Sequence, residues 1–291
     1  MMDRESQSGV SDLAQAGPAI SVRDLRVQYG DTEILHGISF DVTPGETLVI
    51  LGGSGSGKST LLRTLVGLET PASGQVWLRG KDITSVSKSE MEEIRKRIGM
   101  SFQGGALFGS MTVGENIALP LHEHTKLEDS TIEIILRLKL DQVGLAGFEN
   151  YMPSELSGGM KKRAAVARAL AMDPEILFFD EPSAGLDPII AAGIDHLILQ
   201  LKKAFHMTII VVTHELASAF LIADRMVLID KGNIIAMGTT EEMQSSTNPR
   251  VRQFLDRQAQ PEVMQEMDYL QMLTEDNRRP DRGSARKRGA S

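Results

Sequence analysis

Short apolar runs alternate with polar and glycine-rich segments through most of this 291-residue sequence. Three runs rich in β-favouring residues, Ile20–Tyr29, Ile34–Val42 and Thr47–Leu51, are separated by Gly and Pro, a pattern typical of antiparallel strands that lead into a core strand. Two almost wholly apolar runs, Ile176–Phe179 and Met207–Val212, have the composition of buried parallel strands followed by helices. This alternation predicts an α/β fold with its ligand at the carboxyl ends of the parallel strands.

Helical periodicity is clearest in two segments, Ser89–Arg97 and Ser130–Val143, and each is expected to begin with a capping box at its first serine. In the second segment the apolar residues share one face: Ile132, Ile135, Leu136, Leu140 and Val143. The glycine-rich stretch 102–116 between the two predicts an irregular connector. After about Gly238 the pattern weakens, and one more helix is expected over Pro261–Leu273.

Composition is that of an ordinary globular protein, with 24% charged and 41% hydrophobic residues. Residues 277–291 hold six Lys or Arg and one Asp, a charge of +5. Because the net charge of the chain is −8, residues 1–276 carry a charge of −13. An acidic body argues against DNA or RNA as a main partner. The absence of cysteine excludes disulfides and thiolate metal sites. No secretory signal is expected, and no apolar run is long enough to span a bilayer. If this protein serves a membrane, another chain is expected to cross the bilayer.

A glycine-rich segment follows the third strand directly. The sequence at Gly52–Ser59, GGSGSGKS, matches G-x-x-x-x-G-K-[ST] and is followed by a helical run, Thr60–Leu68. In such a loop backbone N–H groups wrap phosphates, the lysine reaches the β and γ oxygens and the serine ligates Mg²⁺. An ordinary Gly/Ser turn is the alternative. The pattern predicts ATP or GTP binding by Gly52, Gly53, Ser54, Gly55, Ser56, Gly57, Lys58, Ser59 and Thr60.

Two adjacent carboxylates end the strand that begins at Ile176. Alone, Asp180 and Glu181 would be typical of a solvated turn. Together with the lysine loop upstream they favour hydrolysis, with Asp180 holding Mg²⁺ through water and Glu181 polarising the attacking water.

The segment Leu156-Ser157-Gly158-Gly159-Met160, followed by Lys161-Lys162-Arg163 and an Ala-rich run, resembles the signature of ABC transporter ATPases. The family's other motifs follow in order over residues 20 to about 240: Tyr29, Gln103, Ser183 to Asp187, and His214. The resemblance implies a P-loop NTPase fold of the ABC ATPase type, with a RecA-like core, an N-terminal antiparallel β subdomain and an α-helical signature subdomain. Two ATP would be sandwiched between two copies of the chain.

The resemblance also implies roles for single residues. Tyr29 would stack on adenine, Gln103 would contact Mg²⁺ and the lytic water, and His214 would hydrogen-bond the γ-phosphate. Ser157, Gly158 and Gly159 would bind the γ-phosphate of the nucleotide held by the facing subunit. Asp187 would serve the subunit contact, although it could equally cap the helix that begins at Pro188.

Phe102 to Met111 and the methionine at 160 resemble the Mla branch of the family, which moves phospholipid between the inner and outer membranes of diderm bacteria and maintains outer-membrane lipid asymmetry. This implies a membrane-spanning permease dimer contacted through residues 104–111, a STAS-like regulatory subunit, a periplasmic MCE lipid-binding protein, and a location on the cytoplasmic face of the inner membrane. Open alternatives are a small-solute importer, for instance for amino acids, a soluble non-transport ABC protein, and a catalytically silent regulatory module.

The expected organisation is a flexible leader at 1–18, an ATP-binding domain at 19–240 with its helical subdomain at about 104–170, a C-terminal extension at 241–275 and a basic, disordered tail at 276–291.

Overall fold

The structure, a computed structural model, describes residues 17–256. A four-stranded antiparallel sheet has the order β2-β1-β4-β5. Its strands are β1 (Ile20–Tyr29), β2 (Thr32–Val42), β4 (Ser73–Leu78) and β5 (Lys81–Asp82).

A six-stranded sheet has the order β10-β9-β3-β8-β7-β6 and is parallel except for the edge pair β9 and β10. Its strands are β3 (Thr47–Leu51), β6 (Ile98–Ser101), β7 (Ile176–Asp180), β8 (Thr208–Val212), β9 (Arg225–Asp230) and β10 (Asn233–Thr239). Every residue of β3 and β8 is buried, as expected for strands covered on both faces.

The α-helices within residues 17–256 are α1 (Lys58–Leu65), α2 (Lys88–Arg95), α3 (Val113–His124), α4 (Asp129–Gln142), α5 (Gly158–Ala169), α6 (Pro188–Phe205), α7 (Leu216–Ile222), α8 (Thr240–Gln244) and α9 (Pro249–Leu255). A 3₁₀ turn, Pro153–Glu155, precedes α5. No helix in this part of the chain combines the length and the apolar character that crossing a membrane requires.

The six-stranded sheet separates two hydrophobic cores. Leu48 and Ile50 of β3 belong to the core shared with the antiparallel sheet and α1, whereas Val49 and Leu51 face the core formed with α3 to α7. This follows from the two-residue period of a strand, which sends successive side chains to opposite faces. Because β3, β6, β7 and β8 run parallel, their carboxyl ends lie together at one edge of the sheet that separates the two cores.

The predicted strands are confirmed to within two residues, but the predicted helix caps are wrong. Helix α2 begins at Lys88, one residue before Ser89, because Ser87 is the N-cap and forms the capping box with Glu90. Helix α4 begins at Asp129 after Glu128, which makes no side-chain cap, so the proposed cap at Ser130 lies inside the helix. Its apolar face packs against the core as expected.

The irregular connector ends earlier than predicted. A capping box between Thr112 and Glu115 starts α3, so residues 113–116 are helical. Helices α8 and α9 were not predicted. The helix expected over Pro261–Leu273, the basic tail and all but the last two residues of the leader lie outside the described residues.

Candidate functional site

The loop between β3 and α1 is shaped so that only glycine fits at two of its positions. A Cβ on Gly52 would lie 2.3 Å from the carbonyl oxygen of Ile229, and one on Gly57 would lie 2.7 Å from Leu35 Cδ2. Gly57 also has a φ of +103°, which favours glycine. The backbone of the loop at Gly52 and Gly57 thus packs directly against Ile229 and Leu35. No side chain caps the start of α1.

Lys58 is buried at the start of α1, and its ammonium donates to the carbonyl oxygens of Gly52 at 2.9 Å and Gly53 at 2.8 Å. Burial lowers the pKa of Lys58, while the charges of Glu181 and Asp180 act in the opposite direction. Phosphate oxygens are stronger partners for an ammonium than these two carbonyls, because they carry negative charge that attracts the ammonium in addition to the hydrogen bonds. The loop is therefore suited to bind an anion.

At the end of β7, Asp180 and Glu181 keep two carboxylate oxygens without a partner. Glu181 has a φ of +48°, and its N–H donates to the carbonyl oxygen of Val212 at 2.8 Å, which fixes it beside the end of β8. Its Oε1 lies 2.9 Å from Nδ1 of His214. Glu181 Oε2 and Asp180 Oδ1 are buried and have no hydrogen-bond partner among residues 17–256.

Burial raises the pKa of Asp180, and the neighbouring charge of Glu181 raises it further, whereas Arg63, Lys58 and Lys162 act against this. A buried carboxylate oxygen without a partner is costly unless a cation or water completes it. Asp180 Oδ1 thus fits a hard cation such as Mg²⁺, which prefers oxygen ligands. The exposed hydroxyl of Ser59 offers a second oxygen of the right type.

Gln103 follows β6, and its side chain is exposed. Its backbone carbonyl accepts a hydrogen bond from Nζ of Lys162, which also donates to the carbonyl oxygen of Glu181 at 3.2 Å. Lys162 lies on α5 and is buried. It was not predicted as part of the site, because its sequence neighbours mark only a helix and the contacts are long-range.

The signature segment forms the start of α5. Ser157 is the N-cap, and its Oγ accepts the N–H of Met160 at 3.3 Å. Gly158 is exposed, and a Cβ on Gly159 would lie 2.4 Å from Ile190 Cγ2. Within residues 17–256, no hydrogen bond joins Ser157–Gly159 to the loop Gly52–Ser59. The structure therefore does not join these two predicted half-sites by hydrogen bonds.

The remaining predicted residues are placed as follows. Asp187 caps α6, with its Oδ1 accepting the N–H groups of Ile189 at 3.1 Å and Ile190 at 3.0 Å, so the capping hypothesis is confirmed. Tyr29 ends β1 with 43% of its surface exposed, and its hydroxyl donates to Glu69 Oε2 at 2.8 Å. His214 follows β8 with 59% of its side chain exposed.

Two side chains hold the loop 104–112 in place through hydrogen bonds to its backbone. Asn116, which is fully buried on α3, accepts the N–H of Phe108 at 2.7 Å and donates to the carbonyl oxygens of Phe108 at 3.1 Å, Met111 at 3.2 Å and Thr112 at 2.9 Å. Arg168 of α5 donates to the carbonyl oxygens of residues 105 and 106. Beside this loop lies a groove of about 850 Å³ between α3 and α4.

Comparison with known proteins identifies the family. Residues 35–184 match the family described as ABC transporter. The chain is 42% identical to the intermembrane phospholipid transport system ATP-binding protein MlaF of Haemophilus influenzae, covering 88% of this chain and 98% of that one. It is 43% identical to the probable ribonucleotide transport ATP-binding protein mkl of Mycobacterium leprae, covering 82% of this chain and 69% of that one.

Solved structures give the same result. The chain superposes with a TM-score of 0.70 and 29% identity on the dimeric ATP-binding cassette MJ0796 bound to ADP and Pi, covering 76% of this chain and 98% of that one. For cbiO1 of Clostridium perfringens, part of an ABC transporter complex, the TM-score is 0.74 at 29% identity, with 88% and 99% covered. The chain belongs to the ABC transporter family, has the ABC ATPase fold, and is an ATPase that couples ATP hydrolysis to transport.

Proposed function

We propose that this ATPase powers phospholipid transport between the inner and outer membranes of a diderm bacterium, as part of a complex that maintains outer-membrane lipid asymmetry. The assignment of phospholipid as the substrate rests on the 42% identity to MlaF of Haemophilus influenzae over 98% of that protein. The methionine at position 160 and the sequence of the loop 104–111 support the same branch. Cleavage of ATP supplies the free energy, and the chain's own residues perform the steps below.

The loop Gly52–Ser59 binds the phosphates of ATP through backbone N–H groups at the start of α1. Lys58 exchanges its two carbonyl partners for β and γ oxygens, a change that favours the bound state because the ammonium is poorly solvated in the loop. Mg²⁺, when bound, neutralises charge on the phosphates, and Ser59, Gln103 and Asp180 would hold it. Tyr29 lies at the end of β1, exposed enough to stack on the adenine.

Glu181 orients and polarises the attacking water. Its Oε1 is engaged by His214, which leaves the buried Oε2 to accept a hydrogen bond from that water. Because a carboxylate oxygen only accepts, Nδ1 of His214 carries a proton in this arrangement. Donation to the γ-phosphate by the same ring then requires either a proton on both nitrogens or a rotation that releases Glu181.

A second copy of the chain completes each site. Ser157–Gly159 presents a helix start with an exposed glycine, yet makes no hydrogen bond to the phosphate loop of its own chain. A nucleotide held between two copies accounts for both facts, and the MJ0796 cassettes are themselves described as dimers. Asp187 and the exposed Ile190 beside Gly159 would then lie in the contact between the copies.

The loop 104–111 transmits closure of the dimer to a permease. Gln103, immediately before the loop, would contact the bound nucleotide and Mg²⁺. Asn116 and Arg168 hold the backbone of the loop by hydrogen bonds, so a displacement at Gln103 would move the loop as a unit. The groove beside the loop has room for a helix of a membrane-spanning permease dimer. A STAS-like subunit and an MCE lipid-binding protein complete the proposed complex, which lies on the cytoplasmic face of the inner membrane.

The test is isolation of the native complex from membranes through an affinity tag on this chain, followed by lipid analysis and crosslinking from a cysteine placed at Phe108. We expect phospholipid bound in the complex, Mg²⁺-dependent ATP hydrolysis, and a crosslink to a permease that itself associates with an MCE protein. The same complex carrying Glu181→Gln is the control for hydrolysis. A permease without an MCE partner, or a complex free of phospholipid, would remove the substrate assignment but leave the ATPase intact.

A second candidate is ribonucleotide transport, favoured by the 43% identity to mkl of Mycobacterium leprae. The chain covers only 69% of that protein, against 98% of MlaF, so the phospholipid assignment has the more complete match. Stimulation of ATP hydrolysis by a ribonucleotide other than the one being hydrolysed, with no effect of phospholipid, would favour this second candidate. Stimulation by an amino acid would indicate a small-solute importer instead.

A further inference from the structure

A buried lysine outside the predicted site connects three of its parts. Lys162 lies on α5, five residues after Ser157, and is only 8% exposed. Its ammonium donates to the backbone carbonyls of Gln103 and Glu181, which are 59 and 19 residues away in sequence. One side chain on the signature helix thus holds the main chain at both residues proposed to contact the lytic water.

The charge of Lys162 is not neutralised by a direct ion pair among residues 17–256, although the carboxylates of Glu181 and Asp180 attract it. Burial lowers its pKa, so the charged form is held at a cost. A charge buried at a cost is not explained by packing alone, because an apolar side chain of similar length would fill the space without it. The ammonium supplies what an apolar chain would not, namely two N–H donors aimed at two carbonyls.

The seating of α5 does not depend on Lys162. Arg163 donates to the carbonyl oxygens of Val143 at 2.9 Å and Gly193 at 3.1 Å, and Arg168 donates to the loop at residues 105 and 106. These arginines join the helix to α4, α6 and the connector. Only Lys162 among the three reaches Gln103 and Glu181, so its contacts serve the catalytic segment rather than the helix.

We propose that Lys162 is a positioning residue, which fixes the backbone of Gln103 and Glu181 relative to α5 and thereby sets where their side chains meet the attacking water. Glu181 needs such support because its backbone has a positive φ, a conformation that a non-glycine residue holds only when its surroundings enforce it. Val212 holds the N–H side of Glu181, and Lys162 and the N–H of Ala184, both at 3.2 Å, hold its carbonyl side. The inference rests on the proposed roles of Gln103 and Glu181.

The experiment compares Lys162→Met, Lys162→Arg and Lys161→Met in the native complex, with kcat, KM for ATP, equilibrium ATP binding and melting temperature measured for each. Lys162→Met keeps the length and removes the donors; we expect kcat to fall about 10- to 100-fold, from the loss of charge-assisted hydrogen bonds, with ATP binding changed less than about threefold. Lys162→Arg, which retains donors, is expected to recover most of kcat. Lys161→Met should behave as the parent.

Wild-type kcat in Lys162→Met overturns the proposal. A fall in kcat that Lys162→Arg does not recover, accompanied by an equal loss of ATP binding and melting temperature, also overturns it, since that pattern indicates a structural role. If Lys162→Met does not fold, Lys162→Gln decides, because its side chain is one bond shorter and its amide is uncharged. A lowered kcat with parental ATP binding supports positioning, and a parental kcat overturns it. Parental activity in Glu181→Gln would instead refute the proposed site itself.

Discussion

Replacing Asn116 should separate the loop 104–112 from the rest of the fold. The amide of Asn116 is fully buried and makes four hydrogen bonds to the backbone of Phe108, Met111 and Thr112. Asn116→Ala removes all four and leaves the N–H and carbonyl of Phe108 and the carbonyl of Met111 without this partner. The carbonyl of Thr112 still accepts the helical N–H of residue 116 at 3.0 Å, and the carbonyl of Phe108 still accepts the N–H of Met111 at 3.1 Å.

At about 1 kcal/mol net for each hydrogen bond, the loss is roughly 4 kcal/mol, and water reaching the exposed loop reduces it to about 2–3 kcal/mol. For a domain of this size that corresponds to a melting temperature lower by roughly 5–10 °C. Asn116→Asp is the matched control, because it keeps the acceptor for the Phe108 N–H and loses the three donated bonds. It should be destabilised as well, since a buried carboxylate facing three carbonyls is unfavourable.

The assay is thermal and urea unfolding of the full chain, together with ATP hydrolysis in the presence and absence of the permease. We expect ATP binding to persist, because Asn116 does not touch the phosphate loop, and stimulation by the permease to weaken. A destabilisation below about 0.5 kcal/mol, or undiminished stimulation in a variant that is destabilised as expected, would refute the reasoning that this amide holds the coupling loop.

Three further outcomes are expected. Glu181→Gln should lower kcat about 10²- to 10⁴-fold while ATP still binds, as rapid-quench kinetics and equilibrium binding would report; a parental kcat contradicts the assignment. Gly52→Ala should cost about 1–3 kcal/mol in urea unfolding, because its Cβ meets the Ile229 backbone, whereas Gly53→Ala, with nothing within 4 Å of its Cβ, should cost about 0.5 kcal/mol or less; equal costs would be inconsistent with the packing. Burial raises the pKa of Asp195, so the folded state binds the proton of this carboxyl more tightly than the unfolded state does. Stability should therefore decline as pH rises above the unfolded pKa of about 4, and Asp195→Asn should lack this decline when melting temperatures are measured from pH 4 upwards. An unchanged decline in the variant would assign the pH dependence to other groups.

Much of the fold is predictable because its signals are local. Strands β3 and β8 are apolar throughout, and the glycine loop sits between a strand and a helix, so neither needs tertiary information. The N-cap of α2 shows where local sequence signals no longer suffice to predict the structure. Both Ser87 with Glu90 and Ser89 with Glu92 satisfy the capping pattern, and the sequence does not choose between them. The structure has the first, in which Arg95 also reaches the carbonyl of Gly67 at 2.7 Å.

The predicted site consists of motifs, and each motif is recognisable in the sequence on its own. The hydrogen bonds that connect the motifs are not recognisable, because they are made by side chains that contact residues far away in the sequence. Lys162 and Arg168 lie in an Ala-rich helix whose pattern indicates packing, yet their charged ends bind the backbone carbonyls of Gln103 and of residues 105 and 106. Contacts of this kind follow from how α5 lies against β6 and β7, which periodicity does not specify.

Each catalytic site is proposed to be built from two chains, and a crosslink between two copies tests this most directly. The sequence has no cysteine, so Ser54→Cys in one copy and Ser157→Cys in another, differently tagged copy introduce one thiol each with a one-atom change. In a Glu181→Gln background, which should retain ATP, a short bifunctional thiol reagent is expected to join the two tagged chains only when ATP and Mg²⁺ are present. Bound ATP without such a crosslink, or a crosslink equally strong without nucleotide, would contradict the account.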